Sequence, residues 1–399
     1  MNTIRLRENG PPIRVQLTDT AAAEIVRLGV ADISPMGKGE WSISAVGKVG
    51  AVRLLDTELR IEPKVPLNQL FFILSRTFGW DLWREETLRL STVDDLYPAI
   101  FGLFARSAEK TVRSGIFRAY RERRSSENFI RGRWLVTEQI RTRQGLQLPA
   151  ELLYDEFTAD VDENRLLRSA ARRLMRASDM SPALRRRINK LDAQLDDAGV
   201  LAPGSPLPQI RFDRRNDYYR TALGLARLIL EHQSIDRGVA EVTGAGFLLN
   251  MPVLFERFIE AEVVRSAAAF GGLIKPQKRD YLDQGAQVVV KPDLVWVRGD
   301  ETVSVIDAKY KAEKPAGHPN ADIYQMLAYC IRHQIGVGHL VYAAGNERPT
   351  EYVVEQAGVT VVCHAIALDA EPGEIIAQVD RLVARSHGDW GRAEKLEVT

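Results

Sequence analysis

The apolar pattern changes period along this chain, and that change restricts the fold more than any single motif does. In the first sixty or so residues, brief segments at 4–7, 13–17, 41–46, 49–54 and 59–62 partly alternate apolar and polar side chains, with Gly, Pro, Asn and Asp between them. Strand side chains point to opposite faces in turn, so this region reads as a small sheet or barrel. From Leu67 to Tyr120 the period lengthens: Leu70, Phe71, Leu74 and Phe78 recur at helical spacing, followed by Ile100, Leu103, Phe104 and Ala108. After Met251 helices and strands alternate. A helix over 252–269 closes at Gly271-Gly272, and strands over 287–297 and 302–310 flank the turn Gly299-Asp300-Glu301. A helix over 321–334, strands over 339–343 and 358–367, and a terminal helix over 374–386 complete a mixed sheet flanked by helices. The expectation is an α+β multidomain chain. Residues 1–155 form a β-rich and helical N-terminal region, 156–245 a helical connector, and 246–399 a mixed-sheet domain.

The middle of the chain is punctuated by helix signals. Asp160 with Glu163 three residues later resembles a capping box, opening a helix through Arg176. Ser181-Pro182 supplies an N-cap with proline at the first helical position. Residues 202–208 are a Pro/Gly-rich linker candidate, 217–232 read as an amphipathic helix, and 238–246 loosen the chain again.

Composition excludes several classes. With 54 Lys plus Arg against 53 Asp plus Glu the formal charge is +1, so a polyanion partner must be argued from charge distribution. Arginine is concentrated: residues 111–150 hold nine arginines against three glutamates, among them Arg121, Arg123, Arg124, Arg131 and Arg133. Two readings stay open there. One is a solvated helix face answered by the acidic run Glu151, Asp155, Glu156, Asp160, Asp162 and Glu163; the other is a surface for DNA phosphates or for a partner. Two cysteines, Cys330 and Cys363, are too few for a disulfide framework, a four-cysteine zinc ribbon or an all-cysteine iron–sulfur cluster. A zinc site from Cys330, His333, Cys363 and His364 matches no common spacing, and His232, His318 and His339 fit no ligand pattern. The longest uncharged stretch, 242–255, is too short to span a bilayer, so no membrane partner is expected and the cytoplasm is the expected compartment.

The strongest chemical constellation is Lys291-Pro292-Asp293 with Val305-Ile306-Asp307-Ala308-Lys309. On a strand, Asp307 and Lys309 share a face while Ala308 points away. The turn near Asp300 lies midway between Asp293 and Asp307, so a hairpin sets the two carboxylates opposite one another. Adjacent carboxylates repel unless a cation sits between them, and hard oxygen ligands of this kind suit Mg²⁺. Such a site polarises a phosphodiester, with Lys309 placed to orient water or neutralise developing charge. Asp-x-Lys alone is more often an ordinary surface ion pair, and it is the Asp at the opposed hairpin position that turns the reading toward a metal site. Glu256, on the preceding helix, is either a further carboxylate for the site or an exposed helix charge. Gln325 and Tyr329 are i,i+4 on one helix face and can meet at the site, although Tyr329 also fits a core position.

Pro292-Asp293, Asp307-Ala308-Lys309-Tyr310-Lys311 and Asp322-Ile323-Tyr324-Gln325-Met326-Leu327-Ala328-Tyr329 resemble the PD-(D/E)xK nuclease core as it appears in the McrC family. Tyr154-Asp155-Glu156-Phe157-Thr158, Glu163-Asn164-Arg165-Leu166-Leu167 and Met251-Pro252-Val253-Leu254-Phe255-Glu256 are similar to further blocks of that family. So is the stretch from Val49-Gly50 to Ile61-Glu62-Pro63-Lys64. The resemblance implies a restriction-endonuclease-like C-terminal domain and Mg²⁺-dependent cleavage of double-stranded, methylated DNA with one or two ions. Asp293 and Asp307 are then the metal ligands and, with Lys309, Glu256 and Gln325, the catalytic set, supported by Tyr329. It also implies an McrB-like AAA+ GTPase ring as partner, docked by the N-terminal region and stimulated by it. This chain binds no nucleotide on that reading, and no G-x-x-x-x-G-K-[ST] occurs; Gly37-Lys38-Gly39 and Gly47-Lys48 lack its spacing. A non-cleaving assembly and GTPase-activating subunit with a vestigial site is the alternative, and a stand-alone DNA-repair exonuclease is a third reading.

Overall fold

The computed structural model describes residues 2–45, 47–54, 57–79, 96–144, 148–176, 180–202, 204–232, 246–312, 319–344 and 349–397. The alternating N-terminal segments are strands: β1 (Asn2–Arg7), β2 (Ile13–Gln16), β3 (Asp32–Gly37), β4 (Glu40–Ser44), β5 (Lys48–Arg53) and β6 (Thr57–Glu62). Strands β2, β4 and β3 form an antiparallel three-stranded sheet, while β1 runs parallel and β5 antiparallel to β6. Helix α1 (Asp19–Leu28) interrupts them and is an addition to the sequence reading. Its ends are nevertheless well marked: the Thr18 side chain accepts a hydrogen bond from the Ala21 amide at 3.2 Å, and Gly29 terminates it in the left-handed region. Helix α2 (Leu67–Phe78) follows, burying Leu70, Phe71 and Leu74 as the spacing requires.

Helix α3 (Leu96–Ser114) opens a second region with β7 (Ala119–Glu127), β8 (Arg133–Trp134), α4 (Val136–Arg143), β9 (Ala150–Thr158), α5 (Asp162–Met175), α6 (Pro182–Gln194) and α7 (Arg220–His232). The centre of the arginine-rich stretch, with Arg121, Arg123 and Arg124, is a strand and not a helix face: β7 pairs antiparallel with β9 over nine residues, and β8 flanks β9 on its other side. Across the ladder Arg121 stands opposite Glu156, Arg123 opposite Tyr154 and Ser126 opposite Glu151. Ser181 caps α6 as expected, accepting from the Leu184 amide at 3.2 Å. Asp160 does not cap α5, whose N-cap is Val161. Its carboxylate instead grips Arg165 through two bonds and accepts from the Gly199 amide at 2.6 Å. Asn164, fully buried, donates to the Phe117 and Ala159 carbonyls and accepts from the Tyr219 hydroxyl at 2.8 Å, which welds α5 to the chain entering β7.

The C-terminal region comprises β10 (Gly246–Asn250), α8 (Met251–Ala267), β11 (Leu273–Pro276), β12 (Asp280–Tyr281), β13 (Val289–Val290), β14 (Leu294–Arg298), β15 (Glu301–Ala312), α9 (Asn320–His333), β16 (Val337–Ala344), β17 (Thr350–Val354), β18 (Val359–Ala365) and α10 (Pro372–Glu397). Its six-stranded sheet runs β11-β14-β15-β16-β18-β17, antiparallel on the β11 and β17 sides and parallel through β15-β16-β18. The mixed sheet is therefore as expected. One face packs Val305, Leu340, Tyr342 and Val361 against Met326 and Cys330 of α9. At Gly338 a Cβ would stand 2.5 Å from Cys330 Sγ, so only glycine permits this close approach of helix and strand.

The chain divides into two compact units, one of Met1–Asp94 with Leu248–Thr399 and the other of Asp95–Phe247. This differs from a three-part linear division. A boundary after residue 155 would cut β9, and the N-terminal strands share a unit with the C-terminal sheet. Specific contacts join them. The Phe72 and Phe258 rings meet edge-on at 6.3 Å, and Arg76 donates to both oxygens of the buried Glu262 carboxylate at 2.7 and 2.5 Å. The Gly47 carbonyl accepts from the Met251 amide at 2.8 Å, and a Cβ on Gly47 would lie 2.9 Å from the Pro252 ring. The expected loosening at 238–246 lies, except for Gly246, outside the described residues. No described helix is long and apolar enough to cross a membrane.

Candidate functional site

The β14–β15 hairpin sets the centre of the site. Its register pairs Leu294 with Ile306 and Val295 with Val305, so one step further Asp293 stands opposite Asp307. Asp307 and Lys309 lie beside Leu340 and Tyr342 of β16, on the face covered by α9. The alternation read from the sequence therefore aims both side chains at one patch. Asp307 is buried, with 2% of its surface exposed. Its Oδ2 lies 2.6 Å from Lys309 Nζ but makes no well-directed hydrogen bond. Asp293 Oδ2 accepts from the Ala308 amide at 2.8 Å, which clamps the two strands.

The lysine is held on its other side. Lys309 Nζ donates to Gln325 Oε1 at 2.7 Å, and Gln325 Nε2 donates to the Tyr329 hydroxyl at 2.8 Å. That hydroxyl donates in turn to the Lys291 carbonyl at 3.2 Å, so the relay begins and ends beside the β14–β15 hairpin. Tyr329 is thus both a core residue and a member of the site. Next along the strand, Lys311 and the Tyr342 hydroxyl both bind the buried Asp322 carboxylate, at 2.9 and 2.8 Å.

Glu256 reaches this group through a residue that the sequence reading passed over. Gln277 Nε2 donates to Glu256 Oε1 and, at 3.3 Å, to Asp293 Oδ1, while the Gln277 amide donates to the Asp293 carbonyl at 2.8 Å. Gln277 holds φ 50, a left-handed conformation that costs a non-glycine residue energy. Nothing in its local sequence, Lys275-Pro276-Gln277-Lys278, signals this placement.

Burial dominates the electrostatics. It pushes the Asp293 carboxyl up to about 7, with Asp307 and Glu256 repelling its charge further while the Ala308 amide opposes the shift. Burial also raises Asp307, against the opposing pull of Lys309. Two acids held face to face, one of them buried, fit a divalent cation. Among the described residues no group of three or more His, Cys, Asp or Glu could hold a metal ion. A closed protein cage is therefore not built, and the donor set suits Mg²⁺, which takes one or two carboxylates and completes its shell with water and phosphate oxygens. The zinc combination is not assembled. Cys330 and Cys363 belong to the core beneath α9, whereas His364 bonds His339 at 3.0 Å. His339 thus has a partner that the spacing did not reveal, and His318 lies outside the described residues.

On the other face of β15, Tyr310 meets residues from the flanking blocks. Its ring lies 4.4 Å from Lys64 Nζ and 5.9 Å from the Phe255 ring. The buried Glu8 carboxylate, raised by desolvation, accepts from the Lys64 amide at 3.2 Å and faces the Tyr310 hydroxyl. The second unit answers its arginines with acids: Arg121 pairs with Asp160, Arg123 with Glu156, Arg124 with Glu138 and Arg131 with Glu127. Arg133 is exposed on β8.

A model of the McrBC 5-methylcytosine restriction system component family matches residues 43–343. Among solved structures, a chain of the refined half-complex from the tetradecameric assembly of Thermococcus gammatolerans McrB AAA+ hexamers with bound McrC superposes with a TM-score of 0.63. It is 20% identical, and the match covers 96% of this chain and 100% of that one. A chain of the cryo-EM structure of the Thermococcus gammatolerans McrBC complex gives 0.45 at 23% identity, covering 66% and 88% respectively. A comparison with curated proteins found no match.

Proposed function

Because the chain belongs to the McrBC 5-methylcytosine restriction system component family, we propose that it is the Mg²⁺-dependent DNA endonuclease subunit of a modification-dependent restriction complex. The observation that carries this reading is the opposed pair Asp293 and Asp307 with Lys309 fixed between Asp307 and Gln325. A site left without function has no reason to hold a buried carboxylate, Asp307, against a second acid, since such an arrangement costs stability.

Asp293 and Asp307 would hold the ion, with Glu256 beside them. When bound, it supplies polarisation of the phosphoryl oxygen and a lowered pKa for its water. The chain's own residues do the rest. Lys309 presents its ammonium to a non-bridging phosphate oxygen, and Gln325 fixes its direction by accepting one of its hydrogens. Tyr329 holds the Gln325 amide so that its oxygen stays turned to the lysine. Hydrolysis places the hydroxyl of water on phosphorus, breaks one bridging P–O bond and gives the remaining proton to the leaving oxygen.

The partner we infer is an McrB-like AAA+ GTPase ring, the assembly in which the T. gammatolerans McrC is bound. The N-terminal 155 residues are the ring-docking region on this reading. Strands β7 and β8 and the connection between them offer exposed Tyr120, Phe129, Ile130 and Trp134 near Arg121, Arg123, Arg124 and Arg131, which acids already neutralise, and this suits a protein surface better than bare phosphates. Co-purification with the AAA+ partner, followed by a GTP-dependent cleavage assay on methylated and unmethylated DNA, tests the proposal. It expects cleavage of the methylated substrate with partner, GTP and Mg²⁺ all present. Cleavage without the partner would favour a stand-alone nuclease, and none under any condition would favour the non-cleaving subunit.

A further inference from the structure

Gln277 stands between two carboxylates that would otherwise repel one another. Its single Nε2 donates to Glu256 on α8 and to Asp293 at the head of β14, and its backbone amide donates to the Asp293 carbonyl. Three elements thus converge on one residue: α8, the end of β11 and the start of β14. The residue also holds its left-handed φ of 50 without being glycine, asparagine or aspartate, the types that tolerate this region best. Strain of this kind persists where the surrounding structure enforces it. Glycine would serve the backbone conformation better, but it could not supply the two bonds that the Gln277 side chain donates.

We propose that Gln277 is a positioning residue whose amide locks Glu256 and Asp293 into one preformed acidic pair and thereby sets the divalent-cation affinity of the site. The inference rests on the nuclease reading of that site and adds to it a residue outside the acid-acid-lysine set. Hydrogen bonds to ligating carboxylates fix their orientation before the ion arrives, and their loss weakens binding without removing a ligand.

The positive φ dictates the test. Gln277→Ala would add backbone strain to the loss of the amide, whereas Gln277→Gly deletes the amide and relaxes the backbone. The full-length chain is titrated with Mn²⁺ by isothermal calorimetry, and its thermal unfolding is measured alongside. Gln277→Gly should bind Mn²⁺ roughly 10- to 100-fold more weakly, with unchanged or higher thermal stability in the metal-free state. Gln277→Asn tolerates the backbone conformation but is one methylene short of both carboxylates, and it should reproduce the loss. A double-mutant cycle with Glu256→Gln should be strongly non-additive, because the two residues act through one bond. Mn²⁺ binding by Gln277→Gly as tight as the wild type, or tighter, overturns the proposal. Failure of the wild-type chain to bind Mn²⁺ at all overturns instead the nuclease reading on which it rests.

Discussion

Replacing Asp293 with asparagine should stabilise the metal-free chain at pH 8 and fail to do so at pH 4. In the folded chain burial, Asp307 and Glu256 push the carboxyl up to about 7, while an unfolded aspartate titrates near about 3.9. A carboxyl raised by folding costs nothing while both states are protonated, below about pH 4. The cost grows as pH rises, because the unfolded chain releases its proton first, and it is complete above about pH 7. Three pK units correspond to about 4 kcal/mol, and partial contact with solvent reduces that to about 2 kcal/mol. Asparagine retains an acceptor for the Ala308 amide, now bonded at 2.8 Å, but gives up the longer bond from Gln277, a loss of about 1 kcal/mol. The net gain at pH 8 is about 1 kcal/mol, or roughly 2–4 °C in Tm for a unit of this size. At pH 4 only the loss remains, and the variant becomes slightly the less stable of the two. Differential scanning calorimetry in a chelator from pH 4 to 8 reads both ends of this crossover. A Tm difference that does not change with pH would refute the reasoning, because it would mean that Asp293 is not destabilised in its charged form. Adding Mg²⁺ at pH 8 should raise the wild-type Tm and leave the Asn variant behind.

Three further outcomes follow from the packing and the charges. Arg76→Ala strands the buried Glu262 with Arg265 as its remaining cation, and urea unfolding should show a loss of roughly 3 kcal/mol; a change within experimental error would mean that α2 is not anchored to α8 through this pair. Gly338→Ala drives a methyl against Cys330 and Met326 and should cost roughly 1–3 kcal/mol of stability by the same method, whereas an unchanged midpoint would show that α9 can back away from β16. Alanine at Arg121, Arg123 and Arg124 together should leave the salt dependence of direct DNA binding unchanged in fluorescence anisotropy, since their acidic partners already neutralise them, while association with the AAA+ partner weakens. A shallower salt slope would place those arginines on phosphates instead.

Periodicity exposed the elements that bury a continuous apolar face. The β14–β15 hairpin, α8 and α9 were all legible because Val295, Val305, Phe255, Met326 and Tyr329 recur at strand or helix spacing. The opposition of Asp293 and Asp307 followed from counting residues about a turn, and the i,i+4 spacing of Gln325 and Tyr329 fixed their shared direction. What escaped depends on distance in sequence. Gln277 acts only because β11 brings it to Asp293 and α8 brings Glu256 to the same point, and no local pattern records that meeting. The His339–His364 pair is hidden for a similar reason, since parallel strands make their contact across a crossover. The arginine-rich stretch looked helical in charge alone because its strand partner, β9, lies beyond an intervening strand and helix. The two-unit division was invisible as well. Lys64, Phe255 and Tyr310 stand in separate blocks of the sequence, and only the fold gathers them with Glu8 on one face of β15.

The central claim is that Asp307 and Lys309 carry phosphodiester hydrolysis in a complex whose assembly they do not control. DNA cleavage by the wild-type chain, Asp307→Ala and Lys309→Ala, each reconstituted with the AAA+ partner, GTP, Mg²⁺ and methylated DNA, tests it most directly. The account predicts that both variants bind the partner and stimulate its GTPase as the wild type does, yet leave the DNA uncut. Wild-type cleavage by either variant would contradict it.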